Sequence, residues 1–435
     1  MNDFYKQNFG ENFLMIFLIL IFLLIGFSLM GFSSKHNKIV VLEKQSNQNI
    51  PNIYNSSIDI TQNSKEKICI QNKPKYVRGI HLTAWAVSSL QKRKEIDYLL
   101  EKTELNTVVI DIKESEGKVY IPGVKVAEEI KSYENAIPDI LDYLNYLKEK
   151  KVYTIARIVV FSDNFLPRQK PELGVKTPEG QLWKDKKGIT WLDPYRKENW
   201  EYILSIAERA VQIGFEEVQF DYIRFPSDGD ISLCIYSQPY NSKTAQEALI
   251  GFLKEANTRI KPLGANISID IFGLTTSVLD DMGIGQKLEE MAKFVDYVSP
   301  MTYPSHYAKG TYGLSDPNRA PYQTVYCSLK YGKEKLGSDY IKLRPFLQDF
   351  SLGYRYGAKE VRAQIQAAYD NDIYEWLLWN PRCIYTYSAL KDKSFSNTYE
   401  KSKNITCEIK KQPLLEEKIS FDTSENILET FLEQK

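Results

Sequence analysis

Between Val77 and Pro381 the chain repeats one device eight times: a short run rich in β-branched and aromatic residues, usually followed by a longer stretch whose apolar residues recur at helical spacing. The runs are VRGIHLTAW (77–85), NTVVIDIKE (106–114), KVYTIARIVVF (151–161), FEEVQFDYIRF (215–225), NISIDIFG (266–273), FVDYVSPMTY (294–303), IKLRPFLQDF (341–350) and YEWLLWNP (374–381). Helices are expected near 91–102, 135–150, 197–212, 244–260, 285–292 and 358–369. Strands separated in this way pair in parallel, because a crossover must carry the chain back to the starting end of the sheet. Eight of them over this length specify an α/β fold, the (β/α)8 TIM barrel. An open doubly wound sheet is the rival. Its dinucleotide-binding form needs a G-x-G-x-x-G turn after the first strand, and the sequence has none there.

Successive residues of a strand face opposite sides. In the fourth run Val218, Phe220 and Tyr222 therefore face the helical layer, and Gln219 and Asp221 face the lumen. In the fifth, Ile267, Ile269 and Ile271 point out while Ser268 and Asp270 point in. The same split turns His81, Thr83, Asp111, Lys113, Arg157, Ser299, Tyr303, Gln348 and Asn380 inward. A structural barrel fills its lumen with branched aliphatics, whereas active sites collect at the carboxyl ends of the strands, where most of these polar groups fall. Each has a plainer reading. Asp111 can pair with Lys113, Arg157 can neutralise Asp221, a single His81 is more often a hydrogen-bonded core residue than a metal ligand, and Tyr222 and Phe225 suit packing. What this leaves unexplained is Asp221 and Asp270 at matching depth on neighbouring strands, with no evident cation for each.

Elimination narrows the chemistry. Lysine plus arginine equals aspartate plus glutamate at 56 each, and no basic stripe with interleaved aromatics occurs, so nucleic acid is not an expected partner. The five cysteines, Cys69, Cys234, Cys327, Cys383 and Cys407, lack C-x-x-C spacing, and His81 and His306 form no close pair. No metal or other cofactor is expected from such a set. The serine-hydrolase elbow G-x-S-x-G and the phosphate loop G-x-x-x-x-G-K-[ST] do not occur either. Carboxylates remain. Two of them in a pocket rich in hydroxyls and aromatics suit cleavage of a glycosidic bond: one protonates the leaving oxygen, the other attacks the sugar or activates water.

The third connection, SDNFLPRQKPELGVKTPEGQLWKDKKGITWLDPY (162–195), is far longer than an ordinary βα loop and is expected to cover the active face. Trp183 and Trp191 within it are candidates for stacking on sugar rings, or equally for anchoring the loop to the barrel. Trp85, Phe165 and Tyr303 are further candidates for the pocket wall.

Ahead of the barrel, FLMIFLILIFLLIGFSLMGF (13–32) is apolar, uncharged and about as long as a bilayer span. It reads as an uncleaved signal anchor within a segment 1–34; a cleaved signal peptide, leaving a secreted protein, is the alternative. Residues 35–74, rich in Asn, Ser, Gln and Lys, suit a solvated stalk. The barrel is expected over 75–400 and a polar tail over 401–435.

The motifs VRGIHLTAW, NTVVIDIKE, ARIVVF before SDN, WLDPY, GFEEVQFDYIRFP and YVSPMTYPSHY, in that order, resemble a bacterial family of glycoside-hydrolase-like proteins first catalogued as a domain of unknown function. The likeness runs over 76–387, and FDYIRFP is its most specific element. It implies a glycosidase-type (β/α)8 barrel outside the cytoplasmic membrane. GFEEVQFDYIRF is also similar in layout to the fourth strands of chitinase and α-amylase barrels. The chitinase pattern has a glutamate where Ile223 stands, and the α-amylase pattern has an arginine where Gln219 stands, with Asp221 falling on its nucleophile.

These readings converge on a membrane-anchored, extracytoplasmic glycoside hydrolase acting on a poly- or oligosaccharide, with Asp221 as nucleophile or base and Asp270 as partner acid. Asp111, Glu114 and Asp349 are reserve carboxylates of the substrate site. Arg157, Arg224, His81, Tyr303 and Gln348 are expected to hold sugar hydroxyls or tune the pair. The alternative is a non-catalytic barrel that binds cell-wall or other polysaccharide.

Overall fold

A computed structural model describes residues 73–394. The expected membrane helix (13–32), all but the last two residues of the stalk, and the tail (401–435) lie outside these residues. Among the described residues no helix is long and apolar enough to cross a membrane.

Eight parallel strands close into a barrel in chain order: β1 (Arg78–Leu82), β2 (Thr107–Lys113), β3 (Tyr153–Val159), β4 (Glu217–Asp221), β5 (Asn266–Phe272), β6 (Tyr297–Met301), β7 (Phe346–Gln348) and β8 (Trp376–Trp379). Six longer helices pack outside: α1 (Leu90–Lys102), α2 (Ile140–Glu149), α3 (Lys197–Gln212), α4 (Ser242–Ile260), α5 (Pro321–Leu336) and α6 (Ala358–Asp370). The outward residues of the strands form the main core with these helices. Ile80, Leu82, Val108, Ile110, Val218, Phe220, Ile267 and Ile269 are all fully buried there. Phe220, for example, meets Phe252 of α4 edge to face at 5.1 Å. Each such side chain contributes about 1.5–3 kcal/mol by leaving water.

Two helical expectations need revision. The stretch 285–292 holds only one turn, Leu288–Met291, followed by a 3-10 turn. Conversely α5 is a full helix where none was expected. Its sequence PYQTVYCSLKYGKEKL carries Thr, Val, Tyr, Cys and Gly, which are weak helix formers. Packing decides instead, as Thr324, Val325, Ser328, Leu329 and Gly332 form a buried face. A Cβ on Gly332 would stand only 3.3 Å from Leu343 Cδ1 and Thr276 Cγ2, so the helix sits close because that residue has none.

The lumen is filled in layers. At the amino-terminal end the fully buried Glu217 accepts two bonds from Arg344, one from Tyr153 Oη (3.0 Å) and one from Ser268 Oγ (2.5 Å). An apolar cluster of Val77, Val109, Tyr153, Ile155, Tyr303, Phe346 and Leu377 continues upward from it. Tyr303 at the upper end of this cluster feels the charges of Asp221 and Asp270. His81, Asp111, Arg157, Asp221 and Asp270 therefore sit on a packed plug at the carboxyl end of the barrel, whereas Ser268 belongs to the amino-terminal layer.

Candidate active site

Strand register brings the groups together. Asp111 of β2 lies opposite Arg157 of β3. Phe220 of β4 lies opposite Ile269 of β5, so Asp221 and Asp270 are the next residue on each strand. Arg157 projects inward among them. Its Nη1 donates to Asp111 Oδ1 at 2.5 Å, and its Nη2 and Nε donate to Asp221 Oδ2 at 2.5 and 3.0 Å. The same Nε stands 3.8 Å from Asp270 Oδ2. Asp221 and Asp270 therefore share one cation. The neutralisation of Asp221 by Arg157 is present, and the expectation that neither carboxylate has an assigned cation is corrected to that extent.

The other expected pair does not form. Lys113 binds Asp163, which follows β3, at 2.9 Å and also donates to the Val159 carbonyl; lysine and aspartate are both fully buried. This leaves Asp111 to Arg157 and His81. His81 Nε2 lies 2.8 Å from Asp111 Oδ2, and burial lowers its pKa despite the opposing pull of Asp111. The neutral ring then donates from Nε2. Burial raises the Asp111 carboxyl, but Arg157 and His81 outweigh it and hold the group below the usual carboxylate range.

Asp270 has the opposite environment. It is 1% exposed, and neither carboxyl oxygen has a hydrogen-bond partner among the described residues. Burial first, and the charge of Asp221 second, push its pKa well above the ordinary value, with Arg157 opposing. A carboxyl left without donors and beside a like charge favours its protonated form. Asp221, in contrast, has Arg157 on Oδ2 and the Tyr222 backbone N–H on Oδ1 at 2.6 Å. Tyr222 takes a left-handed φ of 51° to present that N–H, and the strand ends at Asp221. Such a conformation costs a β-carbon residue about 1–2 kcal/mol. Two oxygens that lie 3.0 and 3.8 Å from one Nε are less than about 6.8 Å apart.

Tyr303 is buried beside the pair; burial, then Asp270 and Asp221, raise its phenol well above the ordinary range. Trp379, which the sequence reading missed, forms the floor. Its ring stacks on His81 at 3.8 Å, and Arg157 Cζ stands 5.0 Å from its centroid. The alternation in WLLW (376–379), with Leu377 already inward, carried the signal.

Other expected site residues lie elsewhere. Trp183 and Trp191 are 2% and 1% exposed and bond through Nε1 to the Asp230 carbonyl and Asp185 Oδ2. They anchor the long loop, and neither ring face is open to a sugar. Both Asp349 oxygens accept from Thr386, by its backbone N–H and its hydroxyl. Gln348 is spent on Ser305 and the Phe350 carbonyl. These bonds staple loops together, and Gln348, in register with Trp379, keeps the inward face expected of it. Trp85 is 54% exposed, with Tyr120 edge-on at 6.3 Å and Tyr120 Oη donating to Glu114 Oε2 at 3.2 Å, a rim cluster. Arg224 lies beyond the end of β4, under aromatic rings. Among the described residues no group of three or more His, Cys, Asp or Glu is arranged to hold a metal ion. A cavity of about 690 Å³ lies at the opposite end of the barrel, lined by residues such as Tyr76, Tyr297 and Glu375, away from these carboxylates.

The model of a family described as "Putative glycosyl hydrolase domain" matches residues 79–385. The chain belongs to that family. The match spans the barrel from β1 to the loop after β8, so all the carboxylates above fall within the family domain. A hypothetical protein from Ruminiclostridium thermocellum ATCC 27405 is 34% identical, with 44% of this chain and 96% of that chain covered and a TM-score of 0.40. The PgaB (BpsB) glycoside hydrolase domain from Bordetella bronchiseptica is 15% identical, with 71% of this chain and 95% of that chain covered, at a TM-score of 0.50, a likeness of fold. No curated protein matches the chain.

Proposed function

We propose that the barrel hydrolyses glycosidic bonds of a poly- or oligosaccharide by a retaining route, with Asp221 as nucleophile and Asp270 as general acid. The observation that carries this reading is the contrast between two neighbouring carboxyl groups. Asp221 is held by Arg157 and a backbone N–H, while Asp270 is buried without a donor and has its pKa raised. Carboxyl groups whose surroundings differ in this way suit separate acid and nucleophile roles. Spacing is compatible with the retaining route: retaining pairs lie about 5–5.5 Å apart, within the limit of about 6.8 Å that Arg157 sets on the two Oδ2 atoms. Arg157 then does two things: it fixes the attacking oxygen, and its charge offsets the build-up of negative charge among three buried carboxylates. The exposed ring of Trp85 offers an apolar face for a sugar at the rim.

The test is a screen of the full-length chain against a polysaccharide and peptidoglycan panel for released reducing ends. Release from at least one glycan, with retained anomeric configuration by NMR, is expected. Tight binding to a glycan with no release would assign a binding role instead.

The run 13–32 supports a membrane anchor, since an apolar stretch of that length is stable across a bilayer, and the stalk-like spacer and the family resemblance favour the outer side for the barrel. Protease added to intact spheroplasts should remove the barrel. Full protection that lysis abolishes would place it inside.

A further inference from the structure

Four arginines are buried among the described residues: Arg78, Arg157, Arg224 and Arg344. Three face a carboxylate. Arg78 meets Glu104 at 3.4 Å, Arg157 meets Asp111 and Asp221, and Arg344 meets Glu217. Arg224 is the exception. It is 5% exposed, and its only hydrogen bonds run from Nη1, to the Phe225 carbonyl at 3.0 Å and to Ser227 Oγ at 2.9 Å. Its Nε and Nη2 donate to nothing among the described residues. In place of an anion it has rings: Trp191, Tyr222 and Phe272 stand 4.8, 4.9 and 4.8 Å from its Cζ. Cation–π contacts offset part of the desolvation of a charge, but they satisfy no N–H. Burial works against its charge, with Tyr222, Asp228 and Asp221 opposing from a distance.

Its place gives the vacant edge a meaning. Tyr222 follows Asp221 directly, and Phe272 stands two residues beyond Asp270, so the guanidinium sits between the ends of β4 and β5, beside the carboxyl pair. Gln286 ties the same two ends together, donating to the Ile223 and Asp270 carbonyls at 3.3 Å. The Nε and Nη2 groups form one edge of a planar fork, and two parallel N–H groups on that edge match the two oxygens of a carboxylate. A rigid aromatic frame holds the fork without consuming it.

We propose that Arg224 recognises a carboxylate carried by the sugar substrate, making the barrel selective for acidic glycans. This rests on the proposed hydrolase reading for the word substrate, but not for the binding itself. A hexuronate and an ether-linked acid on an amino sugar offer the same chemistry, and the two arms of the test separate them. An Arg224 that only braces the loop would show no preference for charge.

The full-length chain is titrated calorimetrically with a galacturonate tetrasaccharide and with a disaccharide of N-acetylglucosamine and N-acetylmuramic acid, each against its carboxyl-reduced alcohol. Wild type should bind one acid at least tenfold more tightly than its alcohol. Arg224→Gln should erase that preference, and Arg224→Lys should keep part of it. Equal binding of acid and alcohol in both pairs by wild type overturns the proposal, even where Arg224→Gln fails to fold. A preference that persists in folded Arg224→Gln overturns it as well. Preference without cleavage of any glycan would sink the hydrolase reading and support this one.

Discussion

Arg157→Leu is the perturbation whose consequences the geometry fixes most tightly. The side chain makes three hydrogen bonds to two carboxylates and stands within ion-pair distance of a third, all in a site where the acids are at most 4% exposed. Removing one partner of a buried ion pair costs about 3–5 kcal/mol, because the remaining charge is left uncompensated. Here two carboxylates lose their bonded partner, so the loss should reach at least the upper part of that range at neutral pH. The pH dependence carries the sharper signature. In wild type Asp111 is held below its unfolded pKa of about 3.9, against burial, by Arg157 and His81. Its contribution is therefore present above that value and is lost as pH falls through the folded pKa. Without Arg157 burial loses its main opponent, and the sign reverses: the variant loses stability as pH rises. The gap between the two proteins should be wide at pH 7 and narrow toward about pH 4. Urea denaturation at both pH values measures it. A gap below about 1 kcal/mol, or one that does not change with pH, would refute the reasoning.

The raised pKa of Asp270 means that its stabilising contribution is full below about pH 3.9 and is lost as pH rises through the folded pKa. Asp270→Asn should flatten that decline in denaturation curves. It should also remove the basic limb of the kcat/KM profile and spare nitrophenyl glycosides, whose leaving groups need little protonation. Trp191→Ala should cost about 3–5 kcal/mol through lost packing, whereas Trp85→Ala should shift stability by less than about 0.5 kcal/mol and raise KM for long oligosaccharides. Arg344→Ala, at the far end of the lumen, should destabilise by about 3–5 kcal/mol and leave kcat of the folded protein unchanged when assayed well below its melting temperature.

What the sequence made legible follows from short-range physics. Alternation along NISIDIF and VQFD assigns Asp270 and Asp221 to the lumen because a strand gives no other choice, and the strands pair as that requires. Helix α3 was readable to the residue from its amphipathic spacing, whereas α5 was hidden by weak helix formers that only the neighbouring elements can order. Partners across strands were harder. Lys113 has Asp111 two residues away but meets Asp163, because the strand register shifts between Asp111 and Lys113, an irregularity the sequence did not signal. The turn at Tyr222 carried no sequence signal, since a tyrosine gives no hint of positive φ. The tryptophans of the long loop were ambiguous because a large ring serves equally well as anchor or platform, and burial alone separates the two.

The role of Asp221 is the centre of the account, and one kinetic comparison tests it most directly. On whichever glycan the wild type cleaves, Asp221→Asn keeps the shape of the side chain and removes the charge that attacks the sugar and stabilises an oxocarbenium-like transition state. With circular dichroism confirming the fold, kcat should fall by about three orders of magnitude or more while KM stays within a few-fold, since the lost interaction belongs to the transition state. A fall of less than about tenfold, equivalent to about 1.4 kcal/mol of barrier, would contradict the assignment and move the nucleophile elsewhere.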